Sequence, residues 1–196
     1  MKSQVLFIHI PKTAGSSINS SPLMSKVDKK IHPFRTTIND KIIEIGAEDF
    51  FKFCFVRNPY ARFYSLYNYF YHMNAEHIFY KYNGHICEVV QRFRTFSDFV
   101  HNFKELRIRN NFHFYPQSDY VYCEGELVAD FIGKVENIDH DINDLAKLLD
   151  LAVNIELSEV NVSTKKDAYK QAYTEQLKMI VQDIYGRDFD NFGYDR

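Results

Sequence analysis

Residues Val5 to Ile18 read VLFIHIPKTAGSSI, and no other stretch narrows the fold as far. Val5 to Ile10 is a short apolar run rich in β-branched and aromatic residues, the pattern of a buried strand. Pro11 has no N–H to donate and ends the sheet ladder. Lys12, Thr13, Ala14 and Gly15 then form a tight turn, and Ser16 and Ser17 stand at a helix start. Such a corner gathers free backbone N–H groups at the positive end of a helix dipole and attracts an anion, most naturally a phosphate or sulfate. Lys12 adds a mobile full charge in the same turn. The corner therefore reads as a nucleotide phosphate cradle, the competing reading being a structural turn with a solvated lysine. Its order is not that of an ATP loop, which places the lysine directly after its last glycine. Here Lys12 precedes Gly15 and no glycine precedes Lys12.

A second corner has the same form. Phe50 to Val56 (FFKFCFV) is apolar almost throughout, as a strand inside a parallel sheet covered on both faces should be. It ends in Arg57-Asn58-Pro59, and Pro59 suits the first turn of a helix reaching about Met73. Arg57, Arg62 and Ser65 fall near that strand end and the first turns of that helix. A guanidinium fork suits bidentate phosphate binding, although both arginines could instead pair with surface carboxylates. Two parallel strand-to-helix corners lie at one sheet edge, where open α/β sheets bind ligands.

Along the rest of the chain, Ser25 to His32 reads as polar loop. Thr36 to Gly46 reads as a helix with Thr37 as N-cap and Gly46 at its C-terminal cap. Asn74 to Arg94 lacks clean periodicity and reads as a loop-rich excursion. Ser97 is placed as the cap of a helix from Asp98 to about Leu106, and His113 to Val121 as irregular chain turning into a strand. Leu127 to Lys134 reads as one strand, followed by an amphipathic helix from about Asp139 to Leu149 and a last helix from about Thr174 to Tyr185. The aromatic residues of the tail, Phe189, Phe192 and Tyr194, are expected to dock onto the body. Alternating strands and helices in 196 residues imply a single α/β domain, 1–196, with a mostly parallel sheet.

A net charge of −2 excludes a broadly basic nucleic-acid binder. Cys54, Cys87 and Cys123 are far apart and form neither a disulfide framework nor a zinc motif. His72, His77, His85 and His101 show no metal-ligand spacing, so no metal is expected. No apolar run approaches the roughly 20 residues that span a bilayer, and the first strand leaves no room ahead of it for a leader. A cytoplasmic protein is expected. The 18 Phe and 14 Tyr are assigned mainly to core packing, with Tyr67 to Tyr82 as a candidate contributor to a ligand groove. His9 is read as a strand histidine satisfying a backbone group.

With both corners placed, the chain resembles the sulfotransferases that use 3′-phosphoadenosine 5′-phosphosulfate (PAPS), within them the carbohydrate-modifying, family-2-like group of bacterial type. FIHIPKTAGSS looks like that family's 5′-phosphosulfate loop and FKFCFVRNPYARFYSLY like its 3′-phosphate strand and helix. HFYPQSDYV, FIGKVENID and IYGRDFDNFGY resemble family segments in the same order. The resemblance implies a P-loop-type three-layer α/β fold with a central, mostly parallel sheet flanked by helices. It implies that Lys12, Thr13, Ala14, Gly15, Ser16 and Ser17 hold the 5′-phosphosulfate and that Arg57 and Ser65 hold the 3′-phosphate. It implies sulfuryl transfer to a carbohydrate or glycolipid hydroxyl, release of 3′,5′-adenosine bisphosphate (PAP), and no metal. Lys12 would meet charge on the leaving phosphate. The base in the family is often a histidine between the two phosphate motifs, and His32 lies in that interval. Arg35 stands where the family pattern places its histidine, so His113 and Glu136 remain alternatives. Lys165 and Lys166 could close over the nucleotide or form a solvated pair. A P-loop kinase and a non-catalytic nucleotide-binding module are the other readings, and neither strong strand ends in the carboxylate a kinase needs for Mg²⁺.

Overall fold

The computed structural model describes residues 4–32, 37–157 and 168–196. Its chain divides into two compact units, Met1–Arg57 with Gln117–Val162 and Asn58–Pro116 with Ser163–Arg196. The described strands are β1 (Val5–Ile8), β2 (Lys29–Ile31), β3 (Phe51–Val56), β4 (Tyr122–Cys123), β5 (Glu126–Leu127) and β6 (Phe131–Lys134). The described helices are α1 (Gly15–Asn19), α2 (Ile38–Glu44), α3 (Pro59–His72), α4 (Tyr80–Val90), α5 (Phe96–Asn102), α6 (Ile138–Leu148), α7 (Ala168–Ala172) and α8 (Glu175–Phe192).

The first unit is built on a parallel four-stranded sheet in the order β2-β1-β3-β6. Every residue of β1 is buried, which explains its unbroken apolar run. On one face Phe7 stacks on Phe53 at 4.8 Å, and Val5, Phe7, Phe53 and Phe55 pack with Ile18 of α1 and with Ile142, Leu145 and Ala146 of α6. Gly133 pairs with Phe55 across β6 and β3, and a Cβ there would lie 2.3 Å from the Phe55 ring. Only glycine lets the two strands close over that ring.

The expected polar loop at 25–32 contains β2 instead. Lys29 and Lys30 give it no apolar signature, but their ammonium groups lie over the rings of Phe50 and Phe7 at 5.2 and 5.8 Å. Charged residues with packed stems are how an edge strand joins a sheet without inviting further pairing. The strand expected over Leu127 to Lys134 is two. Glu124 (φ 52) and Gly125 (φ 89) make a two-residue hairpin turn between β4 and β5, and β6 begins after Asp130, which exchanges hydrogen bonds with the Lys52 backbone (2.7 and 2.8 Å). The helix at Thr37 is capped as expected: Thr37 accepts from Asp40 N–H (3.1 Å), and at the far end Gly46 (φ 61) N–H donates to Ile43 O (2.9 Å) and Ala47 N–H to Ile42 O (3.0 Å).

The second unit spends the aromatic excess on its core. Phe63 meets Phe96, Phe99, Phe103, Phe114 and Tyr185 with ring centroids 4.9 to 6.4 Å apart. Tyr67 (5% exposed) and Phe70 (0%) belong to the same cluster, so the first half of the aromatic stretch proposed for a groove is core. The excursion at 74–94 holds α4, whose inner face is Asn83, Ile86, Cys87 and Val90. Helix α5 starts two residues earlier than expected, because Thr95 rather than Ser97 accepts from Asp98 N–H (3.1 Å). Helix α8 runs on past a non-helical Tyr185 to Phe192, carrying buried Phe189 and Phe192 into the core.

Candidate functional site

The connection from β1 leads to β2 on one side, whereas the chain from β3 reaches β6 on the other. Adjacent parallel strands whose connections diverge open a crevice at their carboxyl ends. The Lys12 turn follows β1, and Arg57 follows β3 directly. Lys12 and Arg57, the members of the two expected corners that lie in the first unit, therefore both stand at the switch point.

The turn has an unusual backbone. Lys12 (φ 69) and Ala14 (φ 62) are both left-handed, while Thr13 between them is not. Alternation of this kind turns successive N–H groups toward one side, making an anion-binding concavity. Left-handed non-glycine residues cost of order 1 kcal/mol or more each, and such strain concentrates at functional sites. Thr13, only 1% exposed, anchors the turn by donating from Oγ1 to Ile10 O at 2.9 Å. Ala14 is the N-cap of α1 and makes no side-chain cap, while its carbonyl accepts from Ile18 N–H at 3.0 Å. The amides of Gly15, Ser16 and Ser17 thus occupy the first turn, where a helix has no internal acceptors for them.

Lys12 titrates at about 8, lowered first by burial and then by the nearby charge of Arg57. Two cations brought together at a strained amide turn are stabilised when an anion joins them. Arg57 is placed by a residue that the sequence does not single out. The fully buried amide of Gln117 accepts from Arg57 N–H and donates to Arg57 O, both at 2.8 Å. Gln117 lies in the family-like segment HFYPQSDYV, but nothing in its residue type announces the role.

At the start of α3 the helix amides are occupied: Asn58 Oδ1 accepts from Tyr60 N–H (3.0 Å) and Ala61 N–H (3.3 Å). Arg62 is no part of an open anion corner. It is 2% exposed, and its guanidinium donates to the carbonyls of Tyr115 (3.0 Å) and His113 (2.9 Å). Ser65 lies on α3, half-buried, in the second unit.

His32 follows β2. Its Nε2 lies 3.1 Å from His9 Nδ1, and its own Nδ1 is buried with no hydrogen-bond partner among the described residues. Burial, and then the charge of Lys30, press its titration down to about 4, opposed by a backbone group of His9. The imidazole is thus neutral near pH 7. His9, expected to satisfy a backbone group, has its Nδ1 turned to another side chain, and its opposite edge abuts the Lys12 turn: a Cβ on Gly15 would lie 1.8 Å from His9 Nε2. Of the alternative bases, His113 has Nδ1 2.7 Å from Asn111 Oδ1 in the second unit, and Glu136 is exposed in the 3-10 turn Val135–Asn137 after β6. Arg35, Lys165 and Lys166 lie outside the described residues. Among the described residues, no three His, Cys, Asp or Glu side chains gather as a metal site, and no helix is long and apolar enough to cross a membrane.

A parallel α/β sheet with a strained, lysine-bearing amide turn at its switch point has the geometry to receive an anionic group there. The particular family follows from comparison with known proteins. The sulfotransferase family model matches residues 1–195, and the chain belongs to the sulfotransferase family. Its chemistry is the transfer of a sulfuryl group to an acceptor. A search of curated proteins and a search of solved structures each found no match.

Proposed function

We propose that this protein transfers the sulfuryl group of PAPS to a hydroxyl of a carbohydrate, free or lipid-linked. The observation that carries the reading is the Lys12 turn with Arg57 beside it at the β1–β3 switch point. That arrangement offers two cations and a row of helix-start amides. Lys12 and the amides of Thr13 to Ser17 take the 5′-phosphosulfate, and Arg57 and Ser65 take the 3′-phosphate. PAPS supplies a sulfuryl group on a phosphate leaving group. A bond forms between the acceptor oxygen and sulfur, the bond from sulfur to the phosphate oxygen breaks, and its electron pair stays on the phosphate of PAP. Lys12 and the turn amides stabilise that growing charge, the kind of contribution whose removal costs about 10²–10³ in rate. The acceptor hydroxyl gives its proton to His32, whose imidazole is neutral near pH 7.

Calorimetric titration with PAP, 5′-AMP and Mg²⁺-ATP tests the donor assignment. Binding of PAP alone, weakened about tenfold or more in Arg57→Ala and Ser65→Ala, supports it. Equal or tighter binding of Mg²⁺-ATP overturns it in favour of a kinase. For the acceptor, transfer from labelled PAPS to a panel of glycans and glycolipids should appear in the wild type and fall at least about 100-fold in Lys12→Ala. PAP binding with transfer to no member of the panel would instead mark a nucleotide-binding module.

A further inference from the structure

The parallel register sets Phe7 against Lys30 and Ile8 against Ile31, and His9 N–H continues it by donating to Ile31 O at 2.9 Å. Two residues beyond Phe7 and Lys30, His9 therefore stands opposite His32 on the same sheet face. Their rings meet edge to face, with centroids 4.3 Å apart. Behind them Phe7 stacks on His9 at 5.5 Å, and in front the far edge of His9 fills the space that a side chain at Gly15 would need. One ring thus touches both the phosphate turn and the proposed base.

We infer that His9 is a positioning residue that ties the phosphate turn to His32, accepting a hydrogen bond from His32 Nε2–H at its own Nδ1 and leaving His32 Nδ1 unprotonated. The direction follows from satisfaction of buried groups. If His9 Nδ1 were the donor, His32 would carry its proton on Nδ1, a buried N–H with no acceptor among the described residues. An orphaned buried N–H is the rarer and costlier outcome. A bare lone pair at Nδ1 is the less costly of the two unpaired states. Contact between Gly15 and the His9 ring then couples filling of the turn to the orientation of His32, because a shift of the turn moves the ring against it. The catalytic consequence rests on His32 being the base; the His9–His32 hydrogen bond and its link to Gly15 do not.

The test reads imidazole nitrogens by long-range ¹H–¹⁵N correlation near pH 7, with His32→Gln assigning the His32 signals. Wild type should show His32 protonated on Nε2, and adding PAP should shift the His9 and His32 signals together. His9→Phe keeps a ring against Gly15 but removes Nδ1, and should abolish the single tautomer of His32. His9→Asn returns an amide oxygen near the place of Nδ1 and should restore it. In turnover, His9→Phe should lower kcat about 10–100-fold with little change in KM for PAPS, with partial recovery in His9→Asn. Wild-type His32 protonated on Nδ1 overturns the inference whatever the variants do, and so does a His32 spectrum unchanged by His9→Phe. If the nitrogen signals behave as stated but His32→Gln keeps full kcat, the pairing stands and the assignment of the base fails. If His32→Gln loses kcat while His9→Phe changes nothing, His32 is the base and acts without His9, and the positioning role fails.

Discussion

Two arginines five positions apart stand in different surroundings. Arg57 is half-exposed at the switch point, whereas Arg62 is buried and spent on two backbone carbonyls. Arg57→Ala should weaken PAP binding about tenfold to a hundredfold, the worth of a charge-assisted hydrogen bond, and leave urea unfolding nearly unchanged. Arg62→Ala should do the reverse. It strips the donor from two carbonyls and should cost about 3 kcal/mol in stability, with PAP affinity of the folded protein retained. Lys12 carries a pH signature. Its titration near 8 in the free protein must rise when an anion binds, so binding takes up a proton above that pH. Affinity for PAP should be level below about pH 7 and fall above about pH 8, with buffer-dependent heats in calorimetry reporting the proton. His32 has the opposite stability linkage to a paired histidine. The unfolded chain takes up its proton below 6.5, while the folded state refuses it until about 4. The stability it contributes is present above pH 6.5 and lost between 6.5 and about 4, so urea midpoints should drop from about pH 7 to about pH 5, and by less in His32→Gln.

At the scale of elements, periodicity and turn chemistry located what local physics governs. The apolar runs became β1 and β3, Pro59 sits in the first turn of α3, and Thr37 and Gly46 cap α2. What escaped were elements stabilised by neighbours. β2 has one buried residue, Ile31, and exists because β1 offers it a ladder. α4 is held by four inward residues against an aromatic core, which no window over 74–94 contains. The cap of α5 is a measurable case. Thr95→Ala should cost about 1 kcal/mol in urea unfolding and Ser97→Ala at most a few tenths, since only Thr95 satisfies a helix amide. The Lys12 turn is just as local in origin, yet the left-handed Lys12 and Ala14 were not visible in KTAG, because neither residue favours that conformation by itself.

For the whole molecule, a site that binds only the folded state should report itself in stability. PAP at about 100 times its dissociation constant should raise the unfolding free energy by about 2.7 kcal/mol, and 5′-AMP at the same concentration should do much less. The sequence by itself determined the α/β class, the two strand-to-helix corners at one sheet edge, and membership of a sulfotransferase family read from the order of its segments. These rest on short-range chemistry: hydrophobic period, proline and glycine placement, and a cation in a small-residue turn. Only the tertiary structure decided which side chains face each other. That Gln117 clamps the Arg57 backbone from 60 positions away, that Arg62 is buried, and that His9 stands against His32 all follow from packing and strand register. Register is settled by which strands become neighbours and how their faces pack, a cooperative outcome of the whole fold that no stretch of chain encodes alone.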